Sequence, residues 1–98
     1  MSYTDYVTAD ARLVILKELA AQNDGRLNES LVTAVLDRFG HRRSREWVRQ
    51  QLRALADLDA VGLTEAGSVV IAEIRRAGID HLERRAFLEG VAQPSLGG

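Results

Sequence analysis

The sequence predicts a single α+β domain, and three observations lead there. Apolar residues recur at helical spacing in four separate stretches. Between residues 60 and 72 two β-branched runs flank a short Gly-containing turn, the pattern of a hairpin. The chain has 98 residues, 46% of them hydrophobic, and no cysteine, which suffices for one core held without disulfides and leaves no room for a second domain.

The elements follow in order. Over Thr8 to Ala21, Leu13, Leu16 and Ala20 mark a helical stripe widened by Ile15 and Leu19, with Asp10 in the first turn, until Asn23-Asp24-Gly25 stops it. Arg26-Leu27-Asn28 has the length of a lone short strand. A second helix runs from Glu29 or Ser30 to Phe39, with Asn28 as N-cap, a buried stripe of Leu31, Val32, Val35, Leu36 and Phe39, and Gly40 as a left-handed cap. After the short turn His41-Arg42-Arg43, Ser44 caps a third helix that reaches about Leu58 and faces inward with Val48, Leu52 and Leu55. Trp47 falls off that stripe and is expected to pack against the first or second helix. Ala60 to Thr64 and Ser68 to Ala72 form the hairpin around Glu65-Ala66-Gly67. Ala77-Gly78 interrupts the pattern, and Ile79, Leu82, Ala86 and Phe87 indicate a fourth helix over about Ile79 to Glu89. Residues 1–90 would form the domain, and 91–98 a loose tail.

Composition narrows the classes of function. A net charge of −1 at this hydrophobic content is not the signature of disorder. The longest apolar runs, Leu13 to Leu16 and Val69 to Ala72, are far too short to span a bilayer, and Met1 to Asp5 lacks the basic and apolar regions of a signal peptide, so a cytoplasmic protein is expected. The near-neutral total hides an uneven distribution. Residues 1–37 carry −3, residues 38–53 carry +5, and residues 54–98 carry −3. Of the 13 cationic residues, 12 are Arg, whose planar fork suits phosphates and base edges.

Helix, short strand, helix, helix, hairpin, helix is the order of a winged helix, a helix-turn-helix followed by a β-hairpin wing, here with a C-terminal helix. In that arrangement the third helix is the recognition helix, and its N-terminal residues lie nearest the base edges of a major groove. On it Arg45, Arg49 and Arg53 form a stripe beside the apolar one, with Arg42 and Arg43 extending it, Gln50 close by and Ser44 fixing the helix start.

Ser44-Arg45-Glu46-Trp47-Val48, followed by Leu52, Leu55 and Ala60-Val61, resembles the recognition-helix and first-wing segment of MarR-like and ArsR-like winged-helix regulators. A longer likeness rests on Met1-Ser2-Tyr3 with Asp5-Tyr6, Arg12-Leu13-Val14-Ile15-Leu16, Leu27-Asn28-Glu29-Ser30, and Gly90-Val91 with Pro94-Ser95. Through these stretches the chain resembles the small winged-helix proteins of Mu-like phages and prophages. The resemblance implies duplex DNA binding by a small transcriptional regulator. Three departures stand out: Asp59 where such regulators usually have Gly, Arg75 where a Thr often caps the last helix, and an acidic hairpin tip. The cysteine and histidine clusters of ArsR-like metal sensing are absent.

The expected partners are therefore double-stranded DNA, contacted through Arg42, Arg43, Ser44, Arg45, Arg49, Gln50 and Arg53, and a second copy of the chain, met through Ile79, Leu82, Ala86 and Phe87. The plainer alternative for the arginines is a solvated face pairing with Glu46 and Asp57; the alternative function, of a different class, is a winged-helix adaptor whose arginine face meets an acidic protein surface in a phage or host complex. His41 is expected to be an exposed turn residue, and His81, with Asp80 and Glu83, has no recognised metal-ligand spacing. No nucleophile–base pairing or Gly-rich phosphate loop is present, so neither enzymatic activity nor a cofactor or metal is expected.

Overall fold

The computed structural model describes residues 2–95. Four helices and a three-stranded sheet follow one another as α1 (Tyr3–Ala21), β1 (Arg26–Asn28), α2 (Glu29–Arg38), α3 (Arg45–Asp57), β2 (Val61–Ala66), β3 (Val69–Ile74) and α4 (Arg76–Leu82). The sheet is antiparallel throughout, in the order β1-β3-β2. Leu27, Ala72 and Leu63 lie directly opposite one another across its three strands. Ala72 is fully buried, and Leu27 and Leu63 pack against the core beside it. Ile15, Leu16 and Leu19 of α1, Leu36 of α2, and Val48, Leu52 and Leu55 of α3 close that core from the helical side.

Capping chemistry sets most boundaries. Asn28 ends β1 and caps α2, its side-chain oxygen accepting the Leu31 N–H at 2.9 Å. Ser44 does the same for α3 through the Trp47 N–H at 3.1 Å. The helix α1 starts five residues before the expected point, because Ser2 and Asp5 form a reciprocal capping box. Helices α2, α3 and α4 each close with a left-handed residue, at Gly40, Asp59 and Arg84. Behind each, a backbone N–H reaches back to the last turn: His41 to Leu36, Ala60 to Leu55 and Arg85 to Asp80. Asp59 thus adopts the αL conformation at the position where such regulators usually have Gly, while Arg75 starts α4 without a side-chain cap.

Four expectations require correction. The hairpin strands are each longer, so that Ala66 pairs with Val69 and the turn shrinks to Gly67-Ser68. The buried stripe of α2 is narrower, since Leu31 and Phe39 are about half exposed and the core takes mainly Val32 and Leu36. Helix α4 is shorter and begins earlier, at Arg76, and Gly78 lies inside it rather than interrupting it. A Cβ on Gly78 would stand 2.6 Å from the Ala60 carbonyl oxygen, so glycine is what lets α4 approach the start of β2. Finally, the segment after α4 is not loose from residue 91. Leu88 and Val91 are buried in the core, and the Ala92 N–H bonds to the Ala9 carbonyl of α1 at 3.1 Å. The two apolar anchors outweigh the cost of ordering this irregular stretch. Residues 96–98 of the expected tail lie outside the described residues.

Two substitutions test this account by chemical denaturation. Gly78→Ala is expected to destabilise by about 1–3 kcal/mol, because backbone at Ala60 cannot yield and the overlap outweighs alanine's better helix propensity. Asp59→Gly is expected to stabilise by about 0.5–1 kcal/mol, by relieving the side-chain penalty at φ 59°.

Candidate nucleic-acid interface

The arginine stripe of α3 is positioned by a buried carboxylate. Glu29, at the first position of α2, has no exposed surface. Its two carboxylate oxygens receive Arg49 Nε and Arg49 Nη2, the latter at 2.8 Å. Oε1 also accepts the Val70 N–H of β3 at 2.9 Å, and Arg45 Nη2 stands 3.5 Å away. Arg49 Nη2 in turn donates to the Ser68 carbonyl at the hairpin turn, at 2.7 Å. One carboxylate therefore ties α2, α3 and the hairpin into a single unit. Its hydrogen bond from Arg49 outweighs the desolvation that opposes it and, with that from Val70, lowers the carboxyl pKa to about 2.

The remaining candidate residues divide by what they touch. Arg42 is 92% exposed, with Nε 3.0 Å from Asp37 at the end of α2. The Arg43 guanidinium lies 5.0 Å from the centroid of Trp47, which is itself partly buried against the core. Arg45 is about half exposed beside Glu29, and Arg53 pairs with Glu46 at 3.7 Å. Gln50 is exposed on the same helix, and Ser44 is the N-cap. The structure thus gathers Arg42, Arg43 and Arg45 around the start of α3, with Gln50 and Arg53 farther along. It sets Arg49 apart: only 29% of that side chain is exposed, and its guanidinium is committed to Glu29 and Ser68.

Both histidines occupy places the sequence did not reveal. His41 is buried rather than exposed, its Nε2 lying 2.7 Å from Asp10 of α1, so it anchors the turn that leads into α3. His81 is also buried. Its Nδ1 accepts the Leu88 N–H at 3.1 Å, which fixes the proton on Nε2, and Nε2 donates to the Ala92 carbonyl at 2.9 Å. Both ring nitrogens are therefore engaged by backbone. Arg12 makes a further unforeseen link, reaching the buried Gln51 of α3 at 2.9 Å and the Gly90 carbonyl at 3.3 Å. Among the described residues no buried side-chain polar atom lacks a partner.

The four residues expected to form one dimer face do not share a helix. Ile79 and Leu82 lie on α4 and are half-buried, with Leu82 packed against the chain's own core. Ala86 and Phe87 lie beyond the αL residue Arg84, where the chain has reversed, and Phe87 is 63% exposed. Helical spacing misled here because helix α4 ends at Leu82.

The Glu29 network makes a directional prediction. Glu29→Ala leaves Arg49 and the Val70 N–H without their partner and is expected to cost about 3–5 kcal/mol in urea unfolding. Because the folded carboxyl is held below its ordinary value, its stabilisation is complete above about pH 4.5 and is lost as the pH falls towards 2. The Glu29→Ala variant should lack that component of the wild-type acid unfolding profile.

No family model matches the chain, and no solved structure matches it. Among the described residues no helix is long and apolar enough to cross a membrane. The uncharacterised protein gp26 of Escherichia phage Mu is 37% identical over 90 residues, a stretch covering 92% of this chain and 93% of that protein. On this end-to-end similarity, the chain belongs to the family of that phage Mu protein.

Proposed function

We propose that the chain is a winged helix that binds double-stranded DNA, with α2 and α3 as the helix-turn-helix, α3 in the major groove and the β2–β3 hairpin as the wing. The observation that carries this reading is the two-sidedness of α3. It buries Val48, Leu52 and Leu55 completely and leaves Arg45, Gln50 and Arg53 on its exposed side, with Arg42 and Arg43 at its start. Residues 38–53, which carry the +5 segment, lie on the end of α2, the turn and α3. Arg45 is placed for a base edge, since the N-terminal residues of such a helix lie deepest in the groove, and Arg42 and Arg43 for phosphates. Arg49 holds the wing against α3 through Glu29 and Ser68 and leaves base reading to its neighbours. The relationship to a phage protein gives the phage or prophage context; on the DNA-binding reading, the chain regulates phage or prophage genes within the cytoplasm of a bacterial host.

A second reading is supported by the charges around the stripe. The wing tip, Glu65-Ala66-Gly67-Ser68, offers no cation to a phosphate, and Arg42, Arg45, Arg49 and Arg53 all face carboxylates of the chain itself. Such a face suits an adaptor that meets an acidic protein surface.

Fluorescence anisotropy of a mixed-sequence duplex separates the two. DNA binding predicts a dissociation constant on the order of 10⁻⁴–10⁻⁶ M that weakens steeply with salt. The double variant Arg42→Ala, Arg45→Ala should weaken binding and flatten the salt dependence while keeping the fold, because Arg49 still satisfies Glu29. No binding at about 50 μM protein in low salt would overturn the DNA reading and leave the adaptor.

A further inference from the structure

His81 is 1% exposed, and its single ring holds the segment after α4, residues 84–95, at two points. Nδ1 accepts the Leu88 N–H at 3.1 Å, and Nε2 donates to the Ala92 carbonyl at 2.9 Å. These two bonds bracket the stretch whose Leu88 and Val91 enter the core. On its far side the same stretch is strapped to α1, through the Ala92 N–H on the Ala9 carbonyl and through Arg12 on the Gly90 carbonyl. Only a neutral ring makes both His81 bonds, because a proton on Nδ1 would set one donor against another at the Leu88 N–H. An open cavity of about 310 Å³, walled by His81 with Arg84, Arg85, Phe87 and Pro94, brings solvent up to the ring. The neighbouring acids are already taken: Asp80 accepts Arg85 at 2.9 Å, and Glu83 pairs with the same guanidinium. Cations border the strap elsewhere, with Arg84 and Arg85 in the cavity wall and Arg12 and Lys17 on α1, while Glu89 of the strap is exposed.

We propose that His81 is a proton-operated latch, in which uptake of one proton by its ring releases residues 88–92 from α1 while the rest of the domain stays folded. The docked strap accepts only the neutral ring, so the two equilibria are linked. Docking is complete above the pH range in which a free imidazole takes its proton, and it weakens as the pH falls through that range and below. The other buried histidine responds in the opposite sense. His41 Nε2 lies 2.7 Å from the Asp10 carboxylate, a contact that a charged ring strengthens, so the turn into α3 holds while the strap lets go. The change reaches α3 through one side chain. Arg12 bonds the Gly90 carbonyl with Nη1 and the buried Gln51 of α3 with Nε, so release of the strap removes one of the two partners that set its guanidinium. The latch uses no residue of the arginine face, and it stands whether or not that face binds DNA.

Amide hydrogen exchange followed by NMR from about pH 7.5 to about pH 5 tests the latch in the wild-type chain. After correction for intrinsic exchange rates, protection of the Leu88 and Ala92 amides should fall about tenfold or more relative to Leu16 and Leu52 of the core. The fall should track the titration of the His81 ring nitrogens and reverse when the pH is raised. His81→Asn places an amide oxygen near the Nδ1 position, where it accepts the Leu88 N–H at every pH, and gives up the Ala92 bond. Its strap should be less protected than the wild type at about pH 7.5 and should lose nothing more on acidification. Strap protection that stays level with the core to about pH 5 would overturn the latch, as would a loss that runs in step with the core. So would a His81→Asn strap that opens with acid as the wild type does. If His81→Asn fails to fold, the wild type decides alone: a His81 ring that takes up its proton while Leu88 stays protected overturns the latch.

Discussion

A carboxylate with no access to water is the constraint on which the placement of α2, α3 and the hairpin depends. Removing the Glu29 charge from solvent costs several kcal/mol, and the cost is offset only where every lone pair finds a donor. Those donors come from two distant parts of the chain. Arg49 is 20 residues away and the Val70 N–H is 41 residues away, so the network exists only once three elements have met. Arg49 then binds the Ser68 carbonyl as well, which couples the hairpin turn to the helix that presents the arginines. A helix-dipole contact alone would not need such burial, since an acid in the first turn of a helix is favoured while fully exposed.

The same network separates two kinds of arginine on one helix. At 100° per residue Arg45, Arg49 and Arg53 form one stripe, and helical geometry treats them alike. Their surroundings do not: Arg49 lies over the joint of α2 and β3, while Arg45 and Arg53 each keep more than half of the side chain exposed. The distinction matters for any function of this face. Loss of an exposed arginine removes a contact with a partner, whereas loss of Arg49 leaves a buried charge uncompensated and disturbs the scaffold itself.

The α+β order and most boundaries were legible because their signals are local. Asn28 and Ser44 as caps, Gly40 and Asp59 as left-handed residues, and the apolar spacing of Val48, Leu52 and Leu55 all act within a few residues of themselves. The Ser2–Asp5 capping box was equally local and available to the same reading. What the sequence did not reveal is decided at a distance. Nothing beside Glu29 announces its burial, nothing near His41 points to Asp10, and the docking of Leu88 and Val91 depends on an α1 surface nearly 80 residues earlier in the chain. The fourth helix was misjudged for a related reason. Ile79, Leu82 and Ala86 fit a helical period, but Arg84 adopts αL, and beyond it Leu88 and Val91 enter the core while Ala86 and Phe87 stay exposed. For the candidate interface, the segment and its residue types were legible, whereas the division of roles among its arginines was not.

The double use of Asn28 has a consequence for how this chain can change in length. It is at once the last residue of β1, opposite Ile71, and the cap of α2, with no linker between strand and helix. One inserted residue between Leu27 and Glu29 would turn α2 by about 100° relative to the sheet. Val32 and Leu36 would swing off the core, and Glu29 would leave the donors of Arg49 and Val70. The spacing from Arg26 to Leu36 is therefore set to the residue, and insertions and deletions there should be far rarer than substitutions. The tip at Gly67-Ser68, exposed and open to solvent around the glycine, is where the chain has room to grow.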